Sequence, residues 1–322
     1  MKSNILIISL LVVVAFVAGN LFNKIQTEKS NKNVQGAQVK LENPAIFEAS
    51  KNKKPKIEFF VMSYCPYGNQ VETALQPVVG LLGDKVEWQP RYITSEITQE
   101  IKDACEASCP QRLFNDENKK RCEEAIEQGQ LPDMETCKQY FPYNTVDECI
   151  AGECDPLEIG KFDSLHGEEE LKQNVREICA FNIVEDKTKW WQFVNDLNAN
   201  CTLSNIGSCW QQSAEKSGFD VSKIEECANN QQTDLLRTDI AAADQMGGVS
   251  GSPTIFINGV LYPPDEAYKS GLRIGETDFN ANQLRTPEVL KTAICNSFEN
   301  SPKECKTILS SQAATGDTGD CE

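Results

Sequence analysis

A chain of 322 residues has room for one elaborated domain or two smaller ones, each with a real core. Its formal charge of −17 and pI near 4.6 argue against nucleic-acid binding, which needs a basic surface. Fourteen cysteines against one histidine point to disulfides in an oxidising compartment and away from metal, although Cys105/Cys109 and Cys149/Cys154 have loosely ligand-like spacing.

Residues 1–22 place Lys2 ahead of an apolar run from Ile5 to Phe22. That is a signal peptide or, since the run is long enough to span a bilayer, an N-terminal membrane anchor. Either reading puts the remaining chain outside the cytoplasm. Residues 23–55 are polar and rich in Lys, Asn and Gln, and read as a linker. The apolar run Ile57–Met62 predicts a buried strand, and an amphipathic helix follows from near Gly68, with Val71, Leu75, Val78, Val79 and Leu82 on one side. Between them stands Cys65-Pro66-Tyr67-Gly68. A cysteine at a helix opening meets unsatisfied amide donors and the positive end of the helix dipole, which favour the nucleophilic thiolate. Cys65 is therefore the candidate catalytic residue, with Pro66, Tyr67 and Gly68 completing its turn. Residues 85–93 predict a second strand, joined by a right-handed crossover and confined by Pro90 to an edge or a bulge.

Residues 95–232 read as a Cys-rich helical insertion. Its first part holds Cys105, Cys109, Cys122, Cys137, Cys149 and Cys154, and six cysteines permit fifteen pairings among which the sequence does not choose. Sulfurs at helical spacing share a face, so a nested set is the expectation: Cys105 with Cys154, Cys109 with Cys149, Cys122 with Cys137. His166 reads as a solvated loop residue. Leu171, Val175 and Ile178, then Trp190, Trp191, Val194 and Leu197, recur at helical spacing and read as core. Gly207 and Gly218-Phe219-Asp220 look like breaks between helices, and Leu235–Met246 like a further helix closed by Gly247-Gly248. Those glycines lack the Lys-Ser/Thr of a phosphate loop, and no cofactor is implied. Asn258-Gly259 between two β-prone runs signals a hairpin. Residues 263–281 read as a loop. Thr286-Pro287 opens a last helix by capping, and Cys295 and Cys305 are placed for a local bridge. The tail ends with Cys321. Counted by segment, the other cysteines fall into even groups, which leaves Cys65 and Cys321 over.

The order strand, Cys-Pro-aromatic-X, helix resembles the active-site turn of the thioredoxin superfamily, particularly its DsbA-like and glutaredoxin-like branches. Ser252-Pro253-Thr254 ahead of a strand is similar to the cis-proline loop of the same proteins. The resemblance implies an α/β, thioredoxin-like fold from residues 56–94 and 233–300, with a large disulfide-rich α-helical insertion and residues 301–322 as a C-terminal segment and tail. It also implies that Ser252, Pro253 and Thr254 face the reactive cysteine and offer backbone groups to an extended substrate. The insertion, through Lys189-Trp190-Trp191-x-Phe193, Cys209 and Ile224-x-x-Cys227, also resembles lysosomal thiol reductases and plant vacuolar sorting receptors. One departure matters: the second cysteine of Cys-x-x-Cys is here Gly68.

Two functions follow. The first is an extracytoplasmic thiol–disulfide oxidoreductase that forms a mixed disulfide through Cys65 with thiols or disulfides of exported proteins or peptides. Resolution then falls to a small thiol, another protein, a second substrate thiol or Cys321, whose tail of about 12 residues beyond Leu309 reaches roughly 40 Å when extended. The second is a redox-inactive module of the same fold that binds peptides or proteins without turnover.

Overall fold

Residues 43–313 are described by the computed structural model; residues 1–22, most of the linker and Cys321 lie outside them. Strand β1 (Lys56–Val61) is the centre of a four-stranded sheet. It runs into helix α1 (Pro66–Leu82), and the chain returns as β2 (Glu87–Tyr92), parallel to β1. Pro90 lacks an amide proton, and β2 is indeed the sheet edge. Four helices follow: α2 (Glu168–Ile183), α3 (Lys187–Asn200), α4 (Ile206–Lys216) and α5 (Val221–Gln245). Strand β3 (Thr254–Ile257) then pairs antiparallel to β1, and β4 (Val260–Tyr262) to β3, before helix α6 (Pro287–Asn296). Asn258 and Gly259 turn the β3–β4 hairpin at φ 49° and 79°, the left-handed values that this two-residue turn requires. The sheet order β2-β1-β3-β4, with a β-α-β unit, a helical insert, then a β-hairpin and a helix, is a thioredoxin-like fold.

Each sheet face is covered. Phe59 on β1 lies against Trp190 and Trp191 of α3, with ring centroids 6.2 Å and 5.4 Å away, so the tryptophan stripe is core. On the other face Arg91 of β2 pairs with Asp239 of α5 at 2.9 Å and with Glu58 of β1 at 3.5 Å. A bridge between Cys179 and Cys227 ties α2 to α5, and Cys201 is bonded to Cys209.

Thr98–Ile159 form a compact unit of their own, while the rest of the described chain forms the other. The small unit has helices at Gln99–Ser108, Asp116–Glu127, Met134–Tyr140 and Val146–Cys149. Thr98, Asn115, Asp133 and Thr145 cap them, each side chain accepting from an amide in the first turn. Its apolar centre is largely sulfur: Cys105–Cys154 and Cys109–Cys149 sit beside Tyr143, Val146 and Ile150, and Cys122–Cys137 staples the middle helices.

Several local expectations are corrected. The end of the linker, residues 43–55, is packed: Phe47 is buried edge-on against Tyr262, and Ala45–Ile46 pair with Leu272–Arg273. A single anchoring ring in a polar stretch leaves no periodicity to read. Residues 263–281 are not a plain loop but hold a helical turn, Ala267–Ser270, and a hairpin of Leu272–Ile274 with Thr277–Phe279. Three-residue strands are too short for alternation to stand out, although Arg273 pairs with Asp278 across this one. Helix α5 runs unbroken through the Asn/Gln run at 229–232, which forms an exposed helical surface. Gly207 lies inside α4, and the break falls before it. Thr286 occupies the cap position without capping; its hydroxyl donates to the Gln283 carbonyl at 2.9 Å.

Candidate functional site

Cys65 is the N-cap residue of α1, with extended backbone angles, and Pro66 takes the first helical position, where a missing amide costs nothing. The turn is closed by Cys65 N–H donating to the Met62 carbonyl at 3.0 Å and Asn69 N–H donating to the Cys65 carbonyl at 3.0 Å. Among the described residues Cys65 is the one free cysteine; the other twelve are bridged. Cys295 pairs with Cys305 at the end of α6. The cysteines with ligand-like spacing are thus committed to sulfur–sulfur bonds.

The segment before β3 closes over this turn. The Cys65 thiol donates to the Ser252 carbonyl, with Sγ and O 3.5 Å apart, and the Ser252–Pro253 peptide is cis. The Ser252 hydroxyl oxygen accepts from Met62 N–H at 3.1 Å. That same oxygen lies 2.7 Å from where a Cβ on Gly68 would stand. The position that would hold a second cysteine is thus occupied by a serine hydroxyl fixed to the backbone beneath it. Thr254 Oγ1 is turned back to the Gly251 carbonyl at 2.6 Å. Tyr67 stands out from the turn, half exposed, whereas Cys65 is only 3% exposed. The sulfur thus lies under the Ser252 carbonyl, at the end of a segment that includes Gly247 and Gly248 at positive φ.

Helix α2 holds the turn from the other side. Asn174 Oδ1 accepts from the Ser63 amide at 3.0 Å and from its hydroxyl, and Glu170 Oε1 accepts from the Tyr64 amide at 3.1 Å. The second Glu170 oxygen accepts from Ser164 Oγ at 2.6 Å and His166 N–H at 3.0 Å, while His166 Nδ1 lies 2.7 Å from Oε1. His166 is therefore not a solvated loop residue: its ring is largely covered and bound to a buried carboxylate. The sequence does carry a signal for this face. Glu170, Asn174 and Glu177 recur at i, i+4 and i+7 beside the apolar stripe, and all three are buried.

Two more carboxyls lie beneath the turn. Glu177 accepts from Tyr92 Oη at 2.6 Å and Gln173 Nε2 at 3.0 Å; Glu72 of α1 accepts from Asn198 Nδ2 at 2.7 Å, and its other oxygen has no partner. Burial, then the charge of Glu177, pushes Glu72 up to about 8. Burial pushes Glu177 up to about 7 against the hydrogen bonds it accepts. A carboxyl whose folded-state pKa is raised holds its proton better folded than unfolded. Its contribution to stability is full below about 4.5 and is lost as pH rises through about 7 to 8. Glu72→Gln removes one of these titrations. It is expected to raise the thermal unfolding midpoint by a few degrees at pH 8 and to leave it little changed at pH 5; an equal shift at both pH values would contradict this.

A cavity of about 500 Å³ lies between α2, α4 and α5, where Arg176 stacks over the Trp210 ring at 4.8 Å, but it touches neither Cys65 nor Ser252. The chemistry available at Cys65 is that of one sulfur under a backbone carbonyl, on a thioredoxin-like frame.

Comparison with known proteins places the insertion more firmly than the cysteine turn. A family model described as the vacuolar sorting receptor thioredoxin-like domain matches residues 147–265, which takes in Pro253 but not Cys65. Vacuolar-sorting receptor 2 of Arabidopsis thaliana is 29% identical over 131 residues, covering 36% of this chain and 21% of the receptor. The match thus spans about a fifth of the length of that relative. Among solved structures, the disulfide bond oxidoreductase DsbG of Mycobacterium tuberculosis aligns over 81% of this chain and 86% of its own, at 13% identity and a TM-score of 0.38. A thioredoxin-like oxidoreductase of Silicibacter pomeroyi DSS-3 aligns over 66% of this chain and 79% of its own, at 13% identity and a TM-score of 0.35.

Proposed function

We propose that this chain is an extracytoplasmic thiol–disulfide oxidoreductase working through a single thiol, Cys65, on disulfides of exported proteins or peptides. The observation that carries the reading is that Cys65 alone stays free among the described cysteines while sitting at a helix opening, hydrogen-bonded to the Ser252 carbonyl. The Cys65 thiolate attacks one sulfur of a substrate disulfide. A Cys65–substrate bond forms as the substrate bond breaks, and the second substrate sulfur leaves as a thiolate and takes up a proton. An external thiol, or the substrate's own released cysteine, then attacks the substrate-side sulfur and frees Cys65. Tyr67, Ser252, Pro253 and Thr254 border the approach to the sulfur. The six bridges support an oxidising compartment. The apolar run in residues 5–22 supports export with an optional membrane anchor, while among the described residues no helix is long and apolar enough to cross a membrane.

The test is to incubate the protein with a disulfide-bonded peptide, quench with acid and weigh the products. An adduct on Cys65, absent from Cys65→Ala, is expected; no adduct under conditions where a small thiol reacts with the peptide would overturn the reading. One observation favours a second reading, a peptide-binding module without turnover: the 3% exposure of Cys65. Peptide binding that Cys65→Ala leaves unchanged, with no adduct in the native protein, would select it.

A further inference from the structure

We propose that Glu170, balanced by His166, is a positioning residue for Cys65 that sets both the shape of its turn and the electric field at its sulfur. The inference rests on the oxidoreductase reading of Cys65.

The geometry is specific. Glu170 belongs to the inserted helix α2, not to the sheet or to α1, yet its carboxylate binds the amide of Tyr64, the residue immediately before Cys65. It is fully buried, and four donors meet its two oxygens: Tyr64 N–H, Ser164 Oγ, His166 N–H and the His166 ring. One turn further along α2, Asn174 takes the Ser63 amide and hydroxyl, and its own amide donates to Ser164 Oγ at 3.2 Å, so the two clamps form one network. A carboxylate can only accept, and a buried one needs its acceptor sites filled. The chain's single histidine fills two of them, through its backbone N–H and its ring. Negative charge beside a thiol opposes its conversion to thiolate, and covered surroundings strengthen that effect. The His166 ring, hydrogen-bonded to Oε1, partly screens that charge.

Other charged or titratable groups face the same turn: Glu169, Arg176 and Glu177 from α2, Tyr64 on the turn itself, and Glu72 of α1 and Tyr92 of β2 grouped around Glu177. Glu170 differs from these in binding the turn's backbone directly. Glu170→Gln keeps an oxygen for the Tyr64 amide and removes the charge. His166→Ala removes the ring donor and leaves the charge less balanced.

The test is the rate of Cys65 alkylation by iodoacetamide across pH, read by mass spectrometry on folded protein. Glu170→Gln is expected to speed alkylation at pH 7 about three- to tenfold, with the midpoint of its pH profile displaced downward by up to about one unit. His166→Ala is expected to slow it and displace the midpoint upward. Loosening of the turn alone would speed both variants and leave the midpoint in place, so two changes of the same sign, or unmoved midpoints, overturn the proposal. If Glu170→Gln does not fold, His166→Ala decides alone: a slower, upward-shifted profile supports the inference and an equal or faster one overturns it. The profile needs no disulfide substrate, so a failure here is distinguishable from failure of the oxidoreductase reading, which shows instead as a missing adduct on the native protein.

Discussion

Gly68→Cys alone is expected not to create a working two-cysteine site, whereas Gly68→Cys with Ser252→Ala is. The Cβ of any side chain at position 68 would stand 2.7 Å from Ser252 Oγ, with Val61 Cβ at 3.4 Å and the Met62 carbonyl oxygen at 3.5 Å. The hydroxyl escapes only by rotating off the Met62 amide, which leaves a donor unpaired at a cost of about 1–3 kcal/mol. Against this, replacing a helical glycine by a residue with a side chain gains up to about 1 kcal/mol. The balance gives a sign change that chemical denaturation can read. Gly68→Ala should destabilise the native protein by about 1–2 kcal/mol, yet be neutral or stabilising in the Ser252→Ala background. With cysteine in place of alanine, the introduced thiol should bridge to Cys65 on mild oxidation only when Ser252 is also replaced. Equal bridging with and without Ser252 would show that the hydroxyl does not close the position.

A large loss of stability is expected from Cys179→Ala/Cys227→Ala. This bridge closes a separation of 48 residues and pins α2, which carries Glu170 and Asn174, to α5. Restricting an unfolded loop of that length is worth about 4 kcal/mol, against about 2.5 kcal/mol for the 8-residue separation of Cys201 and Cys209. Denaturant unfolding of the two double variants should therefore rank them in that order. Because α2 supports the Cys65 turn, loss of the first bridge should also alter the alkylation rate of Cys65, and loss of the second should not. A reversed ranking would mean that the insertion braces itself without the long bridge.

The parts of this fold that the sequence displays are those with local causes. An apolar run ending in Cys-Pro, a proline that confines β2 to an edge, and Asn-Gly at the hairpin each act within a few residues, and β1, β2 and the β3–β4 turn could be read from them. What could not be read depends on distance. Phe47 is one ring in a polar stretch and matters only because Tyr262 waits for it more than two hundred residues later. The strands at Leu272–Ile274 and Thr277–Phe279 are too short to alternate visibly. The site divides the same way. Cys65 and Ser252-Pro253-Thr254 stand out by their neighbours in sequence, but the closing of position 68 by a serine hydroxyl needs coordinates. Glu170, Asn174 and Glu177 lie between: their helical spacing is visible, but a polar stripe beside an apolar one ordinarily marks a solvated boundary, and only the structure buries it.

The central claim is that Cys65 is a reactive free thiol, and its alkylation in the native chain tests this most directly. Purified, oxidised protein is exposed to iodoacetamide near neutral pH without denaturant, digested and weighed. The account predicts that, within residues 43–313, modification falls on Cys65 alone and proceeds faster than on an unperturbed thiol in a small peptide, since this one free sulfur sits at a helix N-terminus. A Cys65 that stays unmodified until the protein is unfolded, or that is found bridged to another cysteine, would contradict it.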